Sequence, residues 1–196
     1  MRVSSESKLE TEFLKDYFAR EALVASRIDL GQIHKLIMEL QSNVAGKRRV
    51  YVAGNGGSAA TADHFVVDLG VGAHVRNKER IVDAISLTSN SSVLTALGND
   101  VSFDSIFSKQ LQIHQPRAGD IVIAISASGN SPNIIKLLEI SKSYNVLTCA
   151  LTGFDGGIAK SISDISVHVP TEKWEYGIVE DIHLAICHVV AEALRR

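Results

Sequence analysis

Gly119-Asp120-Ile121-Val122-Ile123-Ala124-Ile125-Ser126-Ala127-Ser128-Gly129-Asn130-Ser131-Pro132-Asn133 is the stretch from which the fold can be read. Ile121 to Ile125 form an unbroken apolar run, the pattern of a strand buried on both faces. The run stops abruptly in hydroxyls, glycine and asparagine. Pro132 suits the first turn of a helix, and Ile134, Ile135, Leu137, Leu138 and Ile140 give that helix an apolar face. The loop therefore lies between a strand end and a helix N-terminus, where free backbone N–H groups and the positive end of the helix dipole favour an anion. Ser126, Ser128 and Ser131 add hydroxyl donors, and Gly129 allows close backbone approach. A helix cap accounts for one such serine. Three around one glycine suit a neutral phosphate cradle.

Working outward, the same strand, loop and helix grammar recurs. Arg49 to Ala53 reads as a strand, Gly54-Asn55-Gly56-Gly57-Ser58 as its loop, and Ala59 to Leu69 as a helix. The glycine spacing matches neither the Walker pattern nor the dinucleotide fingerprint, which excludes those nucleotide loops. Further strands are predicted at Val82–Leu87, Val146–Leu151 and Ile165–Val169. Further helices are predicted from Ser89-Asn90-Ser91-Ser92 to Gly98-Asn99-Asp100, and around Phe103–Leu111. This alternation predicts an α/β, doubly wound, flavodoxin-like parallel sheet of about five strands. Ligand loops in such sheets gather at the carboxyl ends of the strands, so Asn55, Ser58, Ser126, Ser128 and Ser131 should share one crevice.

Two amphipathic helices precede the first strand. One runs from about Ser7 to Arg27 with Leu9, Phe13, Tyr17, Phe18, Leu23 and Val24, the other from Leu30 to Ala45 with Ile33, Leu36, Ile37 and Leu40. They are expected to cover a sheet edge, make subunit contacts or join the core. The whole chain, 1–196, is expected to be one domain, with 1–46 a helical extension of a 47–196 core.

With 45% hydrophobic and 21% charged residues the composition is that of a globular protein, and a net charge of -2 disfavours an electrostatic nucleic-acid binder. Met1 to Asp16 is charged without an apolar core, and no run approaches a membrane span, so a cytoplasmic protein with no membrane partner is expected. Cys149 and Cys187 sit in apolar surroundings and read as reduced core thiols.

His64 and Asp68 are four residues apart and share one face of the helix after the glycine-rich loop. Glu180 and His188, eight apart, share a face of a final helix predicted from about Ile178 to Leu194. Together they offer a four-ligand N/O site for zinc or a similar ion. A solvated ion pair is the alternative for His64 and Asp68, and His183 competes as a ligand.

Gly54-Asn55-Gly56-Gly57-Ser58, His64, Gly98-Asn99-Asp100, Ser126-Ala127-Ser128-Gly129-Asn130-Ser131, Leu151-Thr152-Gly153, Asp155-Gly156-Gly157 and the Glu180–His188 helix together resemble the sugar isomerase (SIS) fold. Within it the chain is most similar to the phosphoheptose isomerases, over roughly residues 30–196. The resemblance implies a homotetrameric isomerase with active sites between subunits, converting sedoheptulose 7-phosphate to D-glycero-D-manno-heptose 7-phosphate. It implies phosphate on Ser126, Ser128 and Ser131, with further substrate contacts from Asn55, Gly56, Gly57, Ser58, Asn99, Asp100, Ala127 and Glu180. It also implies one zinc ion per subunit on His64, Asp68, Glu180 and His188, with Asp68 and His188 moving protons. The alternative is a non-catalytic SIS protein, either a phosphosugar-binding module or an adaptor for a replication initiator; the adaptor shares the serine loop but lacks parts of the histidine and carboxylate set, which this chain keeps. Against the family pattern, Asp68 replaces Glu, Glu180 replaces Gln, and Leu69-Gly70-Val71-Gly72 replaces Leu-Thr-Gly-Arg.

Overall fold

A computed structural model describes residues 3–46, 48–72, 75 and 82–196, without the side chains of 3–9 and 44–46, so Leu9 lies outside the described side chains. The strands are β1 (Arg49–Gly54), β2 (Asp83–Ser86), β3 (Ile121–Ser126), β4 (Leu147–Thr152) and β5 (Ile165–His168). All pair in parallel, in the order β2-β1-β3-β4-β5. The order reverses at β1 and β3, so the loops leaving these two neighbours open a crevice at their carboxyl ends.

Strand alternation sorts the core into two layers, because successive side chains point to opposite faces. Val50 and Val52 of β1, with Ile121, Ile123 and Ile125 of β3, face one side. That side is covered by α2 (Leu30–Gly46), α3 (Gly57–Val67) and α8 (Tyr176–Arg195). Tyr51, Ala53, Val122 and Ala124 face the other, against α4 (Ser91–Asp100), α5 (Ile106–Ile113), α6 (Pro132–Ser143) and α7 (Gly157–Ile162). The helix α7 begins in the Asp155-Gly156-Gly157 stretch, where the sequence showed loop residues and too short an apolar pattern to announce six helical residues.

The two leading helices have different fates. Ile33, Leu36 and Leu40 bury α2 in the core. The first helix, α1 (Val3–Ala25), gives Val24 to that core but leaves Phe13, Leu14, Phe18 and Leu23 exposed. Polar contacts dock it: the Arg20 guanidinium donates twice to Glu175, at 2.9 and 2.8 Å, and the Tyr17 hydroxyl donates to Asp181 at 3.4 Å. Cys149 and Cys187 are free and buried. Burial pushes the Cys149 thiol up to about 12 and raises Cys187 as well, so neither is a nucleophile at neutral pH. Among the described residues no helix is long and apolar enough to cross a membrane.

Candidate functional site

The serine loop forms where β3 ends. Its first turn closes on itself: the Gly129 N–H donates to the Ser126 carbonyl at 3.0 Å and to the Ser126 hydroxyl at 3.2 Å, and the Asn130 N–H donates to the Ser128 hydroxyl at 3.2 Å. Gly129 has φ +62, and a Cβ there would collide with the Gly156 carbonyl, so glycine is required on both counts. Ser131 occupies the N-cap position of α6, yet its side chain makes no cap hydrogen bond and, among the described residues, meets the Ser126 hydroxyl alone, at 3.5 Å. The helix is thus entered by a serine whose hydroxyl remains available for a ligand, which is what separates a cradle from an ordinary cap.

This loop opens into a cavity of about 140 Å³ lined by Asn55, Ser58, Ile125, Ser126, Ala127, Ser128, Ser131, Tyr176 and Glu180. Two βα loops and the first turns of α8 therefore meet in one small polar space. The Asn55 and Asn133 side chains brace it by a reciprocal amide pair, at 2.9 and 3.0 Å. Gly57 is needed here too, since a Cβ would run into the Glu180 carboxylate. Gly56 holds φ +56 at the turn into α3. A larger cleft of about 630 Å³ lies at the other end of the sheet, beside Glu39, Arg48, Lys142 and Asp164. The smaller space is the better candidate, because hydroxyls, a carboxylate and a helix start converge on it.

Further along α8 lies a second cluster. His64 Nε2 and His188 Nε2 are 3.0 Å apart, and Asp68 Oδ2 lies 3.5 Å from the first and 3.8 Å from the second. All three residues offer ligand atoms within 4.8 Å of one another. A tetrahedral ion with bonds of about 2.0–2.2 Å sets its ligand atoms about 3.3–3.6 Å apart, so the triangle has the right size and an N, N, O donor set that suits zinc. Glu180 stands outside this group of three and points instead toward Gly57 and the serine cavity. Asn99 and Asp100, at the end of α4, are exposed, bonded to each other at 2.8 Å, and do not line the serine cavity.

Local structure explains how Asp68 reaches the cluster. At Asp68 the helix α3 gives way to a π-helical turn, Asp68–Gly72, a widening frequently found at functional sites. The turn brings the carboxylate toward α8, where Arg195 Nη2 donates to the Asp68 carbonyl at 2.9 Å and approaches its Oδ1 at 3.3 Å. Gly72 leaves the room that this guanidinium fills. Neither the π turn nor Arg195 was foreseen, for a lone basic residue in a last helical turn carries no signal of a partner in another element.

His183, on the buried side of α8, is fully enclosed. Among the described residues its ring nitrogens have no hydrogen-bond partner, and burial pulls its pKa down to about 4, the nearby Thr152 backbone offsetting only part of that. It is neutral and takes no place in the cluster of His64, Asp68 and His188.

A family model described as SIS domain matches residues 16–153. A phosphoheptose isomerase of Citrifermentans bemidjiense is 41% identical over 148 residues, 76% of this chain and 74% of that protein. A probable phosphoheptose isomerase of Thermoplasma volcanium is 34% identical over 181 residues, 92% of this chain and 90% of the relative. A solved phosphoheptose isomerase structure from Neisseria gonorrhoeae superposes with a TM-score of 0.84 at 29% identity, covering 94% of this chain and 97% of its own.

Proposed function

This chain belongs to the SIS domain family and is a sugar-phosphate isomerase, and from that premise we propose that it converts sedoheptulose 7-phosphate to D-glycero-D-manno-heptose 7-phosphate. The observation that carries the reading is the course of α8, which presents Glu180 to the serine cavity and His188 to the His64–Asp68 pair. The two positions are eight residues apart, or about 12 Å along a helix. That is a span suited to a sugar chain with phosphate at one end and a carbonyl at the other.

In this reading Ser126, Ser128 and Ser131 hold the phosphate, and Asn55, Gly56, Gly57, Ser58, Ala127 and Glu180 contact the chain of hydroxyls. Asp68 takes the proton between C1 and C2, and His188 delivers a proton to the carbonyl oxygen as the enediolate forms. His64, Asp68 and His188 would hold one zinc ion per subunit, which supplies Lewis-acid polarisation of that carbonyl. Arg195 steadies the Asp68 carboxylate from behind, so that the shorter side chain keeps its aim. Glu180, on this geometry, serves the substrate hydroxyls in preference to the ion. Asn99 and Asp100, which do not line the cavity within one chain, would act across a subunit boundary in a homotetramer. The exposed Phe13, Leu14, Phe18 and Leu23 of α1 supply an apolar face for such an assembly. The chain would work as one domain in the cytoplasm.

The test is turnover on sedoheptulose 7-phosphate beside a panel of pentose and hexose phosphates, with and without a chelator. The expected result is highest turnover on the seven-carbon substrate, lost with chelator and restored by zinc. Preference for a shorter sugar would overturn the substrate, and full activity in chelator would overturn the metal. Light scattering should show a tetramer, and a stable monomer would remove the shared-site reading of Asn99 and Asp100.

A further inference from the structure

Beside the serine cavity lies a second one, of about 420 Å³, in which Phe154, Trp174 and Tyr176 stand among polar and charged residues that include Asp155, Glu172 and Lys173. Ser128 and Tyr176 line both, so the two spaces adjoin, whereas Glu180 and Asn55 line only the smaller. The Phe154 and Tyr176 rings meet edge-on with centroids 5.0 Å apart, and the Trp174 ring lies 6.0 Å from Tyr176. The Lys173 ammonium sits 4.9 Å from the centre of the Trp174 ring. Trp174 is 69% exposed, an unusual setting for an indole.

The β4–α7 loop that carries Phe154 and the segment before α8 that carries Trp174 form one arrangement held in an unfavourable shape. Phe154 and Trp174 have φ of 52° and 80°, in the left-handed region that residues with side chains avoid. Named contacts hold it there. The Phe154 N–H donates to the Thr171 hydroxyl at 3.1 Å, the Glu172 N–H donates to Glu175 at 2.7 Å, and Glu175 is itself gripped by Arg20 at 2.9 and 2.8 Å. Strain maintained by a salt bridge from another helix marks an arrangement that is positioned, and what it positions is a set of ring faces next to the phosphate loop.

A phosphate on the serine loop sits at the junction of the two cavities. A phosphomonoester running toward Glu180 and the histidines leaves the aromatic side bare; a phosphate that also carries a planar ring fills it. We propose that the aromatic cavity takes the base of a nucleotide whose phosphate occupies the serine loop, so that nucleotides compete with the sugar phosphate. The inference rests on the reading of that loop as the phosphate site. Stacking on Trp174 and Tyr176 supplies the affinity, Lys173 reinforces it, and the carboxylates of Asp155 and Glu172 accept N–H groups of the base. Recognition of this kind needs no glycine-loop motif, which is why the spacing of Gly54, Gly56 and Gly57 gave no sign of it.

Trp174 is the single tryptophan of the chain, so its fluorescence reports on this cavity alone. Adenosine and guanosine 5′-monophosphate are titrated against the intact protein, with inorganic phosphate as the control. The nucleotides should quench the fluorescence and inhibit isomerisation competitively, and inorganic phosphate should inhibit without comparable quenching. Trp174→Ala should weaken nucleotide inhibition about tenfold while leaving the KM for sugar phosphate unchanged, and Trp174→Phe should recover most of the loss. No quenching at millimolar nucleotide, equal quenching by inorganic phosphate, or unchanged inhibition in Trp174→Ala would each overturn the proposal. The titration needs no turnover, so quenching by a protein inactive on every sugar phosphate tested would sink the substrate assignment and leave the nucleotide site standing.

Discussion

The crossings that leave β1 and β3 start from neighbouring strands and end in helices, but they are furnished in opposite ways. After β1 the loop is stripped: Gly54, Gly56 and Gly57 offer no side chains, the Glu180 carboxylate closes against the backbone, and the clustered His64 and Asp68 follow only two and three turns later. After β3 the loop is dressed with Ser126, Ser128 and Ser131, while its helix turns apolar residues such as Ile134, Leu137 and Leu138 into the core. The Asn55–Asn133 amide pair ties one to the other. The difference teaches that, on the proposed reading, one crossing clears space for groups arriving from elsewhere, and the other would hold a ligand with its own atoms. Turnover should therefore depend on the first and affinity on the second.

The sharpest way to break that division is Asp68→Asn. It should reduce kcat by about a hundredfold to ten-thousandfold, the usual contribution of general acid–base catalysis, with sugar-phosphate affinity measured by calorimetry nearly intact. A loss of binding equal to the loss of rate would erase the contrast. Arg195→Gln comes next. By freeing the Asp68 carboxylate it should lower kcat and zinc affinity about tenfold to a hundredfold, as loss of an outer-shell partner does, with Arg195→Lys recovering part of both. On the other crossing, Ser128→Ala should weaken phosphosugar binding by about 1.5–3 kcal/mol, tenfold or more, with the rate at saturation less affected.

The smallest effect concerns the helix that joins both. His183 titrates near 6.5 when unfolded and about 4 when folded, so the unfolded chain binds more protons between those values. Stability is full above the unfolded value and is lost as pH falls through the window toward the folded one. His183→Leu should flatten the dependence of the melting midpoint on pH in that window, leaving a residual slope from His168, which burial and then Lys160 also lower. An identical slope in the variant would show that the buried ring does not set it.

Much of this was legible in the chain because it is written in periodicity. The Ile121–Ile125 run, the alternation with helices and the loops after β1 and β3 follow from patterns that backbone geometry imposes on any sequence. His64 and Asp68 were legible as a pair because four residues make a helical turn, and a site shared with His188 was offered by the spacing on two helices and then implied by the family resemblance. Glu180 shows where spacing stops: it shares a helix with His188, but two turns are enough to carry it to another cavity. Arg195, Tyr176 and the Asn133 brace were hidden for the same reason, since each acquires its role from a neighbour far away in sequence. The π turn at Asp68 was hidden because it depends on how the end of α3 meets Arg195 of α8.

The grip of Arg195 on Asp68 spans 127 residues, and the contact between His188 and His64 spans 124. Closing loops of that length is entropically late work for a folding chain, because the local helices and neighbouring strand pairs form at lower cost. During refolding, helical signal should therefore return before metal affinity, and turnover last of all. A half-folded molecule would carry the serine turn, which closes on itself within a few residues of β3, but neither the α8 wall of its cavity nor the contact between His64 and His188. Catalysis thereby becomes a report that early and late parts of the chain have met on one face of the sheet.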